Sequence, residues 1–357
     1  MRIGYSFWGF IGPGVLDTPD GGRSFRRTVL QGLMTDHDVV LLQRNRDLFE
    51  AGHDLTLEFT WDSGLPELDA LFLEWRWPLP GRNTTPCGTP GHTCDLHRQD
   101  ELLAHYTEHQ GTSTLIWDLD RVLPADDPIR HQPTVAVFEP ALHPTPGAIT
   151  LITPVEDRLL DEADPKELAG GSRQWPLVYV GNQYDRDPAF DSYFAPAAQV
   201  HPHRVAGKWT HTEPWPNVNF TGRVGFTEGQ ELHRDALTTV LILPERYAAA
   251  GHMTQRLPEA VLAGCLPIGP SNVHDIRRFV PTALHATDGE HVAEIVTELR
   301  SATVDERADL LARCLRRLDL FRASAHIAVI NDELMRMGGG PPSRRHSAEA
   351  NRHIGVA

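Results

Sequence analysis

Gly251-His252-Met253-Thr254-Gln255-Arg256-Leu257-Pro258-Glu259-Ala260-Val261-Leu262-Ala263-Gly264-Cys265-Leu266-Pro267-Ile268 reads as a glycine turn, a short helix over 257–264 and a short buried strand. The helix is entered through Thr254, Gln255 and Arg256. Its first turn offers unpaired backbone N–H groups at the positive end of the peptide dipole, with a hydroxyl and a guanidinium beside them, which suits a diphosphate. Glu259 follows Arg256 by three residues and shares its helix face, where a carboxylate can accept both hydroxyls of a ribose. An ordinary capped helix with a surface Arg–Glu pair explains the same residues and stays open at this point. Pro258 is tolerated because the N–H it lacks would be unpaired there anyway.

Working outward, apolar β-branched runs alternate with helical segments on both sides of this stretch. Strands are expected at 2–7, 39–44, 70–75, 113–118, 134–138 and 148–153, then at 177–181, 204–208, 217–221, 239–243, 266–268 and 283–286. They are continuous rather than alternating, as parallel strands covered on both faces are. A helix over 22–33 joins the first two. A polar stretch at 156–174, with Pro165 and Gly170-Gly171, separates the halves. The chain is therefore expected to be α/β, with two Rossmann-like domains facing a central cleft. The divisions expected are 1–165, 176–315, a C-terminal helix at 316–337 and a disordered tail at 338–357, with helical sequence over 305–335. Ligands of such sheets bind at the carboxyl ends of the strands.

Three further constellations fall at strand ends. After the first strand come Gly9, Gly12 and Gly14, then Asp17-Thr18-Pro19-Asp20-Gly21-Gly22-Arg23, a loop that brings N–H groups toward an anion or simply starts a helix. Glu74-Trp75-Arg76-Trp77, with Arg82, pairs aromatic faces with guanidiniums, suiting an acceptor sugar or base or covering a core edge. Glu74, Asp118 and Asp120 are the candidate general bases. Cys87, His92, Cys94 and His97 lie within one Gly/Pro-rich loop, where free thiols or a Cys87–Cys94 disulfide are expected. The order C-x4-H-x-C-x2-H matches no usual finger spacing, so no metal is assigned to the chemistry, and a metal in this loop would be structural.

Thirty-three basic against 48 acidic residues give a net charge of −15, so a global field for nucleic acid is absent, although a local basic groove can coexist with it. Four cysteines in 357 residues make no disulfide framework. No apolar run approaches the length of a membrane span, and MRIGYSFWGF reads as a core strand rather than a leader, so a cytoplasmic location is expected.

The 251–268 stretch resembles the donor-binding run G-x-x-x-R-x-x-E-A-x-x-x-G of GT-B glycosyltransferases, in the retaining glycogen-synthase-like and spore-maturation-protein-like group. Tyr179-Val180-Gly181-Asn182, Phe220-Thr221-Gly222-Arg223-Val224 and Asp20-Gly21-Gly22-Arg23 resemble other pieces of that family in register. The chain departs from it seven and eight residues before Glu259, where His252 and Gly251 stand in place of an acidic residue. The resemblance implies transfer of a sugar from a nucleotide sugar, with no cofactor and no bound metal. Arg256, Thr254, Gln255 and Lys208 would serve the diphosphate, Glu259 the ribose, and Gly21, Gly22 and Arg23 would face the donor across the cleft. The acceptor stays open among glycans, small molecules and hydroxymethylated bases of phage DNA. Two alternatives remain: a nucleotide-sugar epimerase and a non-catalytic nucleotide-sugar-binding protein.

Overall fold

The computed structural model describes residues 1–12 and 21–338; Gly14 and Asp17 to Asp20, and the tail expected to be disordered beyond 338, lie outside the described residues. The first domain contains β1 (Arg2–Ser6), β2 (Asp38–Leu41), β3 (Thr60–Trp61), β4 (Ala70–Glu74), β5 (Ser113–Trp117), β6 (Val135–Glu139) and β7 (Ile149–Thr150). These form one sheet in the order β3-β2-β1-β4-β5-β6-β7, every pair parallel. The second domain contains β8 (Trp175–Val180), β9 (His203–Ala206), β10 (Ala236–Val240), β11 (Leu266–Pro270) and β12 (His285–Ala286), also all parallel, in the order β12-β11-β10-β8-β9. All residues of β4, β6, β10 and β11 are buried, as expected of strands with helices on both faces.

Both sheets reverse their strand order at one place, between β1 and β4 in the first and between β8 and β10 in the second. The carboxyl ends of these strands carry Phe7 to Gly12, Glu74 to Arg76, Gly181-Asn182 and Leu241 to Arg246, which is where a doubly wound sheet leaves a crevice.

Three expectations need correction. Residues 217–221 form no strand but a single bridge from Phe220 to Val205. Half of 283–286 is taken up by the 3-10 turn Thr282–Leu284, leaving two residues of strand. The helix expected over 305–335 is two helices, Val304–Arg317 and Ala323–Gly338, separated by the tighter turn Leu318–Phe321. Leu318 and Phe321 are drawn into the second domain's core at that turn. The second helix crosses back to the first domain, where Ile330 and Leu334 share a core with Ile3, Tyr5 and Phe72. Gly32 permits the approach, since a Cβ there would lie 2.6 Å from Ile327.

The return is pinned to the outward crossing. Val155 N–H donates to Phe321 O at 2.7 Å, and Ala323 N–H donates to Val155 O at 2.9 Å. Leu151 packs in the first core, whereas Ile152, Val155 and Ala169 pack in the second. By packing we therefore propose units of 1–151 with 323–338, and 152–321.

Candidate active site

The wall from the first domain is built on a buried charge cluster. Arg26, 1% exposed, forks onto Glu74 through Nε and Nη2, both at 2.8 Å. It also donates to the carbonyls of Phe10 (2.6 Å) and Trp8 (3.2 Å), fixing the loop after β1 against β4. Glu74 also accepts from Tyr5 OH at 2.9 Å and from Arg76 Nη2 at 3.0 Å. Burial, and next the Glu74 charge, hold the Tyr5 phenol well above its ordinary pKa. Glu74 thus receives three donor side chains in a sealed site, and its expected role as general base gives way to that of a structural hub.

Asp118 is buried as well and accepts the N–H groups of Val122 (3.1 Å) and Leu123 (2.8 Å), capping the turn after β5. Burial raises its pKa to about 6 although those bonds oppose the shift. Asp120 has a different setting. It is half-buried where the domains meet, and Tyr247 OH of the second domain donates to it at 2.5 Å. Burial raises its pKa, while Tyr247 and the charges of Arg76, Arg246 and Arg186 pull it down. Of the three carboxylates it alone meets groups from both walls.

On the second wall, Arg256 lies against the end of β8. Its Nε donates to Val180 O at 2.6 Å, and a Cβ on Gly181 would lie 2.6 Å from the guanidinium, so glycine is what lets the cation sit there. Thr254 accepts from Arg256 Nη1 at 3.4 Å. Arg186, 7% exposed, donates to Tyr184 O at 2.8 Å, and its Nε has no partner among the described residues. Among the described residues neither Arg186 nor Arg256 has a carboxylate within ion-pair range. Burial lowers the Arg256 pKa, as does the charge of Arg186 nearby. Two desolvated cations that repel each other favour an anion between or beside them.

The helix Arg256–Leu262 meets the first domain directly. Glu259 accepts a short hydrogen bond from Ser24 Oγ in the turn Gly21–Ser24, so the expected Gly21-Gly22-Arg23 loop and the Arg256/Glu259 face come together. Burial raises the Glu259 pKa, and Ser24 and then Arg256 oppose it. Gln255, expected at the donor, is instead committed to the crossing: its amide donates to Thr153 O at 2.8 Å. Lys208 is exposed and lines a cavity of about 940 Å³ at the ends of β8, β10 and β11, with Asn182, Leu243, Arg246 and Asn272. Arg256 and Glu259 do not line that cavity; they stand beside it, since Gly181 under Arg256 adjoins Asn182 in its wall.

The expected acceptor residues divide. Arg76 and Arg82 converge on the ring of Trp8, with guanidinium carbons 5.7 and 4.2 Å from its centroid, and Arg46 joins them at 5.1 Å. Trp75 packs inward against the two small cores that contain Leu71 and Leu73 and, separately, Ile116, and the Trp77 carbonyl holds Asn83. Sequence reasoning missed Trp8, Arg46, Ser24, Arg186, Arg246 and Tyr247. Arg186 and Arg246 lie just past the ends of β8 and β10, so the strand-end rule could have found them. His252 is also buried at the interface, stacked on Tyr247 with centroids 3.9 Å apart, and burial holds it neutral with a pKa of about 3.

No family model matches this chain, and no curated protein matches it in sequence. Solved structures match it in fold. T4 phage beta-glucosyltransferase, in complex with UDP and Mn2+, aligns with a TM-score of 0.65 at 11% identity, over 94% of this chain and 99% of that one. AviGT4, a glycosyltransferase involved in avilamycin A biosynthesis, aligns at 0.55 and 15% identity, over 95% and 98%. The Anabaena protein HepE, in complex with UDP and glucose, aligns at 0.55 and 10% identity, over 94% and 99%. At such identities the likeness carries the fold: two facing Rossmann-like domains of GT-B type. Among the described residues no helix is long and apolar enough to cross a membrane.

Proposed function

We propose that this chain transfers a sugar from a nucleoside diphosphate sugar to an acceptor hydroxyl. The observation that carries this is the pair of desolvated guanidiniums, Arg186 and Arg256, without carboxylate partners among the described residues, at the end of β8 and beside a cavity large enough for a nucleotide sugar. As the bond to the donor carbon breaks, negative charge grows on the departing diphosphate. Fixed cations and helix N–H groups placed there lower that barrier most. Arg256, Arg186, Thr254 and Lys208 take this role, and they supply the neutralising charge that a divalent cation supplies in other transfers. Glu259 exchanges its Ser24 partner for the ribose, and Gly21, Gly22 and Arg23 close over the phosphates from the other wall.

Asp120 is the proposed base. It takes the acceptor proton as the hydroxyl attacks from the face opposite the diphosphate, giving inversion at the sugar carbon. A carboxylate whose pKa is raised by burial is better matched to that task than an ordinary one. The acceptor lies on the first wall beside Arg76.

A hydroxymethylated DNA base is the acceptor to try first. Arg46, Arg76 and Arg82 gather positive charge on that wall, and the T4 neighbour is described as a DNA-modifying enzyme. The overall charge of −15 favours a glycan or small molecule instead. The test is release of free nucleoside diphosphate from several nucleotide sugars with hydroxymethylated DNA, unmodified DNA, oligosaccharides or no acceptor, with and without chelator. Acceptor-dependent release supports transfer. Interconversion of the donor sugar without release would replace the proposal with an epimerase, and binding without turnover would replace it with a sugar-nucleotide receptor.

A further inference from the structure

The loop after β4 and the first turn of the helix Asp95–Leu102 bring Cys87, His92, Cys94 and His97 together, with one ligand atom of each within 4.8 Å of all the others. Cys87 Sγ lies 3.1 Å from His97 Nδ1 and 4.0 Å from Cys94 Sγ, and both thiols are free. A tetrahedral zinc ion with bonds of about 2.3 Å to sulfur and about 2.0 Å to nitrogen sets its ligand atoms roughly 3.3–3.8 Å apart. The four groups therefore already stand close to the corners of such a site. The compression of this loop does not prevent the wrap. Gly88 and Gly91 take φ of 85° and 83°, Cys94 takes 54°, and successive turns from Pro86 to Thr89 and Thr89 to His92 coil the chain around one point.

The hydrogen bonds also select a tautomer. Thr85 Oγ1 lies 3.2 Å from Arg82 O, to which it can only donate, and 3.1 Å from His92 Nδ1. The hydroxyl proton being committed to the carbonyl, Thr85 accepts from Nδ1–H, and the lone pair of His92 is left on Nε2. That Nε2 is shielded from solvent and has no partner among the described residues. A histidine whose other nitrogen donates to an oxygen, leaving a buried lone pair beside further ligand groups, is the usual support of a metal centre.

We propose that Cys87, His92, Cys94 and His97 bind one zinc ion that braces the loop. The ion binds as the two thiols give up their protons to solvent. The chain His92–Thr85–Arg82 then carries the brace to the backbone of the residue whose guanidinium covers Trp8. The site stands in the first domain, apart from Arg186 and Arg256, and does not depend on the reaction assigned to the cleft.

The experiment is metal analysis of the purified full chain, followed by native-state thiol titration before and after stripping with chelator. Stoichiometric zinc is expected, with the two exposed cysteines reacting slower by about an order of magnitude or more while it is bound. Adding zinc or cobalt(II) alone to the stripped protein should restore protection, cobalt giving the intense visible bands of a tetrahedral thiolate site. Cys94→Ser should lose the metal. If that variant fails to fold, protection in the parent chain still decides. A Cys87–Cys94 disulfide in protein kept under reductant, or thiols equally reactive with and without zinc, would overturn the proposal.

Discussion

Gly181→Ala tests the donor site with a single added methyl group. The backbone at 181 is not left-handed, so alanine fits the local conformation. Its Cβ would lie 2.6 Å from Arg256 Nε and Nη2 and 2.8 Å from Cζ, whereas ordinary contact begins at 3.4 Å. The guanidinium must therefore retreat by about 0.8 Å, the gap between those distances, and its 2.6 Å bond to Val180 O is lost. Because the obstructed group is the mobile end of a long side chain, the effect on folding stays near that of one hydrogen bond to a charged group, about 1.5–3 kcal/mol at most. The effect on rate is larger in its consequences. A cation misplaced by roughly 1 Å from a growing charge lowers turnover on the order of 100-fold, or about 2.7 kcal/mol on the barrier. The assay is steady-state release of nucleoside diphosphate, beside thermal melts and the control Gly170→Ala, where a Cβ meets nothing within 4 Å. A folded Gly181→Ala protein that turns over at the parent rate would refute the placement of Arg256 at the leaving group.

Arg256→Ala should lower kcat more than it raises donor KM, since its contact strengthens as the diphosphate leaves; a change confined to KM would contradict this. Asp120→Asn should cost roughly 10²–10⁴ in kcat. Tyr247→Phe removes a bond that holds the Asp120 pKa down, so the acid limb of the kcat profile should move to higher pH, and an unmoved limb would exonerate Asp120. Burial holds His252 at about 3 and His233 at about 4, against about 6.5 unfolded. The stability of keeping each neutral is complete above pH 6.5 and is lost as pH falls toward 4 and 3, because the unfolded chain takes the protons first. At pH 5 this removes about 2 kcal/mol per histidine, while protonation of Asp118, raised to about 6, returns about 1 kcal/mol. Melting temperatures at pH 7 and 5 should show the net loss, and His233→Leu should make it smaller; an unchanged slope would show that His233 is not buried neutral.

Much of the frame was legible because parallel strands buried on both faces leave continuous apolar runs. Ala70-Leu71-Phe72-Leu73 and Val135-Ala136-Val137-Phe138 are of strand length and bounded by polar or turn residues, which favours buried strands. The strand Thr60-Trp61 was not legible, since it owes its pairing to the neighbouring strand and not to its own pattern. The C-terminal crossing was hidden because Val304–Arg317 and Ala323–Gly338 join with almost no break in helical period, and only packing decides that Ile330 and Leu334 belong to the other domain. At the site, the Arg256/Glu259 spacing identified a helix face but not its partner, Ser24, 235 residues away. Glu74 and Asp120 look alike in sequence, each an acid at a strand end. What separates them is Arg26, which reaches Glu74 from a helix and consumes it, and Tyr247, which meets Asp120 only when the domains face each other.

The central claim is that the second wall of this cleft is a diphosphate site. The direct measurement is the thermal melt of the parent chain and of Arg256→Ala across concentrations of several nucleoside diphosphates, with the free monosaccharide as comparison. At about 100 times Kd a ligand that binds only the folded state adds about 2.7 kcal/mol. The account predicts a concentration-dependent rise in Tm for at least one nucleoside diphosphate, none for the sugar alone, and loss of most of that rise in Arg256→Ala. A parent chain that no nucleoside diphosphate stabilises, or a variant stabilised as fully as the parent, would contradict it.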